Sequence, residues 1–271
     1  MSAPTMRGVG DLQATHEVHI FLAPLDPDDA TVARYEAAVA AFNDGHGAAA
    51  VAPVARCATM KASHLALVFR DPASGAEKTV RVMQSAQYVW DNNQQSVAAW
   101  TRLTADHFRS CGFEVLREKI EASAHGIAGV PHADAEALAH PQCYFEFHVA
   151  LLRKEALAAR AIDDAELDEL RAVSRAFSAA QRVPVPLSYN VAKAGNQRYL
   201  NVRFRGVGID ACKARVRALE ALIDEKSVFR VVKTISEYVW SDTLPAMDHG
   251  WIDYSPEETR RFFPASTGIA A

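Results

Sequence analysis

The sequence predicts an α+β fold: two tandem β-α-β-β-α-β units related by a pseudo-twofold axis, with a short C-terminal extension. Three observations carry this expectation. Two apolar strands, HEVHIFLAP and YFEFHVALL, both hold Glu-x-His, as Glu17 with His19 and Glu146 with His148. Each is followed by the same succession of helical and strand periodicities. The spacing also recurs: both members of the pair return 129 positions later (146 − 17 and 148 − 19), and Arg117 and Glu121 of one closing strand match Lys233 and Glu237 of the other at an offset of 116. Loops of unequal length absorb the difference between the offsets.

In the first unit, residues 16–123, the opening strand leads into DPDDATVARYEAAVAAFND. Asp26 is the expected N-cap and Pro27 the first helical residue, with Val32, Tyr35, Val39 and Phe42 along one stripe. SHLALVFRDPASGAEKTVRVMQ reads as a hairpin turning between Asp71 and Gly75. A second helix places Val97, Trp100 and Leu103 inward and ends before Gly112, and FEVLREKIEAS closes the unit. Segment 124–143 is broken by Gly, Pro and small polar residues, as a connection would be.

The second unit, residues 144–240, repeats the order. Asp163 and Glu166 have capping-box spacing ahead of Leu167, Leu170, Val173 and Phe177. PLSYNVAKAGNQRYLNVRFRG is strand, turn and strand, Cys212, Val216, Leu219 and Ile223 share a helical face, and FRVVKTISEYVW closes the unit. Residues 1–15 read as a flexible tail and residues 241–271 as an extension beyond the repeat. This order is the ferredoxin-like arrangement, in which both helices cover one sheet face and the other face is left open.

Bulk properties bound the function. The 271 residues are 49% hydrophobic and 23% charged, with a formal charge of −4. That charge, without a dense Lys/Arg run, argues against nucleic acid as a partner. Cys57, Cys111, Cys143 and Cys212 lack metal or disulfide spacing, which suits free thiols in a reducing cytoplasm. The start lacks the apolar core of a signal peptide, and no apolar run is long enough to span a bilayer, so a membrane partner is not expected. The sequence is compatible with a homodimer.

Side chains alternate faces along a strand. With Val18, Ile20, Phe147 and Val149 against the helices, Glu17, His19, Glu146 and His148 occupy the open face. If Val80 and Val82 also face the helices, Arg81 joins them; Asn201 and Arg203 follow from Leu200 and Val202, and Lys119, Glu121, Lys233 and Glu237 come from the closing strands. Charges on an uncovered sheet are usually solvated pairs. The repetition of His two residues after Glu is what raises a functional reading beside that bland one.

The placement of one His per half resembles the two-histidine phosphoesterases, although HIF and HVA lack the hydroxyl of their His-x-Thr or His-x-Ser motif. A first-strand His paired with a last-strand Glu in each half resembles the vicinal-oxygen-chelate enzymes. That resemblance maps onto His19, Glu121, His148 and Glu237, although the strand order read here differs from theirs. The residues themselves point first to an enzyme needing no cofactor, with acid-base chemistry by His19, His148, Glu17 and Glu146. Its expected substrate is a small phosphate- or carboxylate-bearing anion held by Arg81, Asn201, Arg203, Lys119 and Lys233. One alternative is a divalent-metal enzyme on His19, Glu121, His148 and Glu237; another is a noncatalytic ligand-binding or interaction protein.

Overall fold

A computed structural model describes residues 15–46, 54, 56–70, 77–124, 129–154, 162–190 and 197–248. Most of the expected N-terminal tail, the turn at 71–75 and the extension beyond residue 248 lie outside the described residues. The elements are β1 Thr15–Leu22, α1 Asp29–His46, β2 Arg56–Cys57, β3 Lys61–Arg70, β4 Glu77–Trp90, α2 Gln94–Ser110 and β5 Val115–Ser123. After the short helix α3, Asp134–Leu138, come β6 Tyr144–Arg153, α4 Asp164–Gln181, β7 Leu187–Asn190, β8 Gln197–Phe204, α5 Ile209–Lys226 and β9 Phe229–Asp242, with a 3-10 turn at Pro245–Asp248. The mixed α+β class is as expected; β2 and α3 were not foreseen.

One antiparallel sheet contains all nine strands among the described residues. The first half runs β5-β1-β4-β3 and the second β9-β6-β8-β7, the same order within each. Both edges are joined, β5 to β9 and β3 to β7, so eight strands close into a barrel and β2 adds to the end of β4. Closure leaves no open edge between the halves.

The helices cover the outside. Val18, Ile20 and Leu22 of β1 join Tyr35, Phe42, Trp100 and Phe108 in one buried core, which continues through Phe145, Phe147 and Val149 to Leu170, Phe177, Leu219 and Ile223. Each such side chain contributes about 1.5–3 kcal/mol on burial, so this outer shell fixes which way the opening strands face. Ends of the helices are set locally. Asn93 accepts the Gln95 and Ser96 amides to start α2, Asp163 and Glu166 form the expected box on α4, and Gly112 at φ +79° turns the chain out of α2. At α1 the cap is Asp28, which accepts the Thr31 amide at 2.7 Å, rather than Asp26. Asp26 instead takes φ +57° and donates its amide to the Arg81 carbonyl of β4 at 2.8 Å.

The face expected for β4 is reversed. His19 stands opposite Ala86 and Phe21 opposite Gln84, and directly opposed residues share a face. Val82 therefore packs on Phe21 inside the barrel, whereas Met83 and Val89 join the helix-side core. Arg81 leaves the expected site altogether: it sits outside, 3.4 Å from Asp29 and 2.5 Å from the Pro27 carbonyl. The cause is that one end of the barrel interior is apolar, so Val80 and Val82 could not report which face was the core.

Candidate functional site inside the barrel

The inner face collects its polar residues by register. Glu17 opposes Glu121 and Tyr88, His19 opposes Lys119, Glu146 opposes Arg203 and Glu237, and His148 opposes Asn201. All four expected catalytic residues thus line one interior, together with Lys119, Asn201 and Arg203. Lys233 shares this face through Ala150 but is exposed beyond the buried cluster.

Each imidazole is held on both nitrogens. His19 Nε2 lies 3.2 Å from Glu121 Oε2 and 3.9 Å from Glu17 Oε1, and its Nδ1 is 2.6 Å from the Gln84 amide and 3.3 Å from the Ser85 carbonyl. His148 Nε2 lies 3.1 Å from Glu237 Oε2, and its Nδ1 is 2.6 Å from Asn201 Oδ1. The Asn201 amide nitrogen donates to Ser188 Oγ at 2.9 Å and to the Pro186 carbonyl at 3.3 Å. A carbonyl can only accept, so the Asn201 oxygen must face His148 and Nδ1 must carry a proton. Nε2 is thereby left to exchange its proton with Glu237.

The interior cations are already committed. Lys119 pairs with both Glu121 and Glu146, and Arg203 Nε donates to Glu146 Oε1 at 2.8 Å. Four carboxylates (Glu17, Glu121, Glu146, Glu237) thus surround two permanent cations and two imidazoles. Burial opposes a charge on either ring, but Glu121 and Glu17 raise His19 above its ordinary value, and the Glu237 hydrogen bond with Glu146 raises His148. Burial and the Glu121 charge push Glu237 up to about 7, while Arg203 and Lys119 hold Glu146 low against its own burial.

Below this cluster Arg117 donates to both Asp242 oxygens, at 2.7 and 2.5 Å, and Tyr144 donates to Asp242 at 2.7 Å. Asp242 was expected beyond the closing strand, yet it is the last residue of β9. Gln84 and Tyr88 were also missed, because the face of β4 was inverted. The interior opens the other way. Side-chain exposure rises from 1% at Glu146 to 27% at His148, and Tyr88 is 40% exposed.

The set His19, Glu121, His148 and Glu237 resolves into two separate pairs. Glu17, His19 and Glu121 instead gather ligating atoms within 4.8 Å of one another, an N/O donor set suited to a divalent ion. Among the described residues no helix is long and apolar enough to cross a membrane.

No protein-family model matches the sequence, and no curated protein matches it. Among solved structures, a dye-decolorizing protein from V. cholerae is similar over 84% of this chain and 94% of its own, with 10% identity and a TM-score of 0.27. A heme-binding protein from Thermus thermophilus gives 12% identity and 0.30 over 83% and 91%. A mutant chlorite dismutase from Candidatus Nitrospira defluvii gives 9% and 0.28 over 83% and 91%. Likeness at this level carries no inference about ligand or reaction.

Proposed function

We propose that the chain is an enzyme whose reactive centre is the barrel interior, with a divalent cation held by Glu17, His19 and Glu121 and proton transfer by His148 with Glu237. The observation that carries this reading is the pair of matching contacts, His19–Glu121 at 3.2 Å and His148–Glu237 at 3.1 Å, from the first and last strands of each half. These matched positions and the matched strand orders also support an internal duplication with pseudo-twofold symmetry.

The donor set favours the cation. Four carboxylates surround two permanent cations and two imidazoles, and a dication on Glu17, His19 and Glu121 takes the place of the proton that Glu121 and Glu17 favour on His19. Glu146 pairs with both Lys119 and Arg203, and Lys119 pairs with Glu121 as well, so a cation at Glu17, His19 and Glu121 competes with the Lys119 ammonium for Glu121 alone. When bound, such an ion supplies Lewis-acid polarisation of a substrate oxygen. His148 is the more exposed imidazole, and Asn201 fixes its Nδ1 proton, so Nε2 is the atom placed to give or take a proton toward the opening.

Calorimetric titration of the purified chain with manganese or zinc tests the centre. One ion per chain is expected. His19→Gln or Glu121→Gln should weaken binding by at least the about 10–100-fold that even an outer partner of a ligand commands, while His148→Gln retains the ion. Equal binding by all three variants would sink the assignment.

A further inference from the structure

With Lys119, Arg203 and Arg117 each neutralised by carboxylates, recognition of a charged substrate falls to cations elsewhere on the inner face. Two lysines meet the requirement nearest the His–Glu centre, with Arg56 farther out, opposite Trp90. Lys61 opposes Ala86, which opposes His19, so Lys61 belongs to the same face as that imidazole. Lys233 opposes Ala150, which opposes Tyr199 and lies two residues beyond His148. Both are exposed, and neither has a carboxylate partner among the described residues.

The lysines stand across the same opening. Lys61 begins β3 beside the end of β4, which pairs with the start of β1 and so with the end of β5; Lys233 precedes the β9 residue Glu237 that pairs with Ser123 at the end of β5. Around the barrel, β3 and β9 are separated by three strands in either direction, so the two cations project from opposite walls. Tyr88 lies at this end, with Lys61 Nζ 5.6 Å from its ring centroid, and its exposed ring gives the mouth an apolar wall. Eight-stranded barrels are either filled by side chains or hold one small ligand; here the side chains fill the buried centre, and exposure grows toward the mouth.

We infer that the mouth of the barrel selects a small organic dianion, its two anionic groups held by Lys61 and Lys233 from opposite walls above the His–Glu centre. The proposal rests on the barrel interior being the reactive centre and names the substrate class for it. It also moves charge recognition from the buried cations to the rim. An anion does not have to break the Glu146 pairs to bind there, and a carbon chain between the two charges can lie against Tyr88.

The test is calorimetry with glutarate and with butyrate, which lacks the second carboxylate, on the full chain with and without manganese. Glutarate should bind about tenfold or more tightly than butyrate, a margin typical of one charge-assisted hydrogen bond. Lys61→Met and Lys233→Met should each remove that margin, Lys→Arg at either position should restore it, and manganese affinity should be unchanged in all four variants. Equal affinity for the two acids, no glutarate binding to the parent protein, or a margin that survives both Met variants overturns the proposal. Glutarate is also read without metal, so a lysine-dependent margin in a protein that takes up no manganese leaves the mouth standing and removes the metal centre.

Discussion

Single residues decide the polarity of this interior, and Asp242 shows how. Its carboxylate and Arg117 are both 1% exposed and joined by a pair of hydrogen bonds, so removing one charge strands the other. Asp242→Asn should cost about 3–5 kcal/mol in urea unfolding at neutral pH. Burial works against ionisation of Asp242, but the Arg117 charge outweighs it and holds the carboxyl below its usual range. A depressed carboxyl stabilises the fold above its unfolded value, about 3.9, and that contribution is lost as pH falls through the folded value. The gap between parent and variant should therefore close in strong acid; a gap independent of pH contradicts the ion-pair account. None of this was legible, because EYVW followed by SDTLP looks like the end of a strand. The Glu-x-His pairs were legible because their alternating neighbours, Val18, Ile20, Phe147 and Val149, are strongly apolar and all enter the outer core.

At the scale of elements, capping chemistry was readable and close backbone approach was not. The Asp163–Glu166 box sits as expected, with both reciprocal contacts at 3.0 Å. Gly208 gave no comparable signal. It precedes α5 with an ordinary negative φ, yet a Cβ there would overlap the His132 carbonyl in the connection, where the Ile209 amide donates to Pro131 and the Gly208 amide to Asp134. Asp163→Ala should cost about 1 kcal/mol, the usual loss of a cap, whereas Gly208→Ala should cost more because main chain must move. Thermal melts of the two variants order the effects; a Gly208→Ala protein as stable as the Asp163→Ala protein would refute the close-packing argument. β4 shows the same limit: its apolar residues fall on both faces near one barrel end, and only pairing with β1 decides between them.

For the whole molecule, closure of the sheet turns what would be two open faces into one interior. The halves were legible as a repeated order of elements, but the joins β5–β9 and β3–β7 were not, since edge pairing leaves no periodic mark in either strand. Those joins are what carry Glu121 toward Glu237 and surround both imidazoles with carboxylates. They also separate a buried, acid-rich centre from a lysine-bearing mouth. Anomalous diffraction from crystals of the full chain grown with manganese tests the centre most directly. The account predicts one strong peak coordinated by Glu17, His19 and Glu121, with His148 and Glu237 beside it and outside the ligand set. Occupied manganese elsewhere with none at those three residues would contradict it.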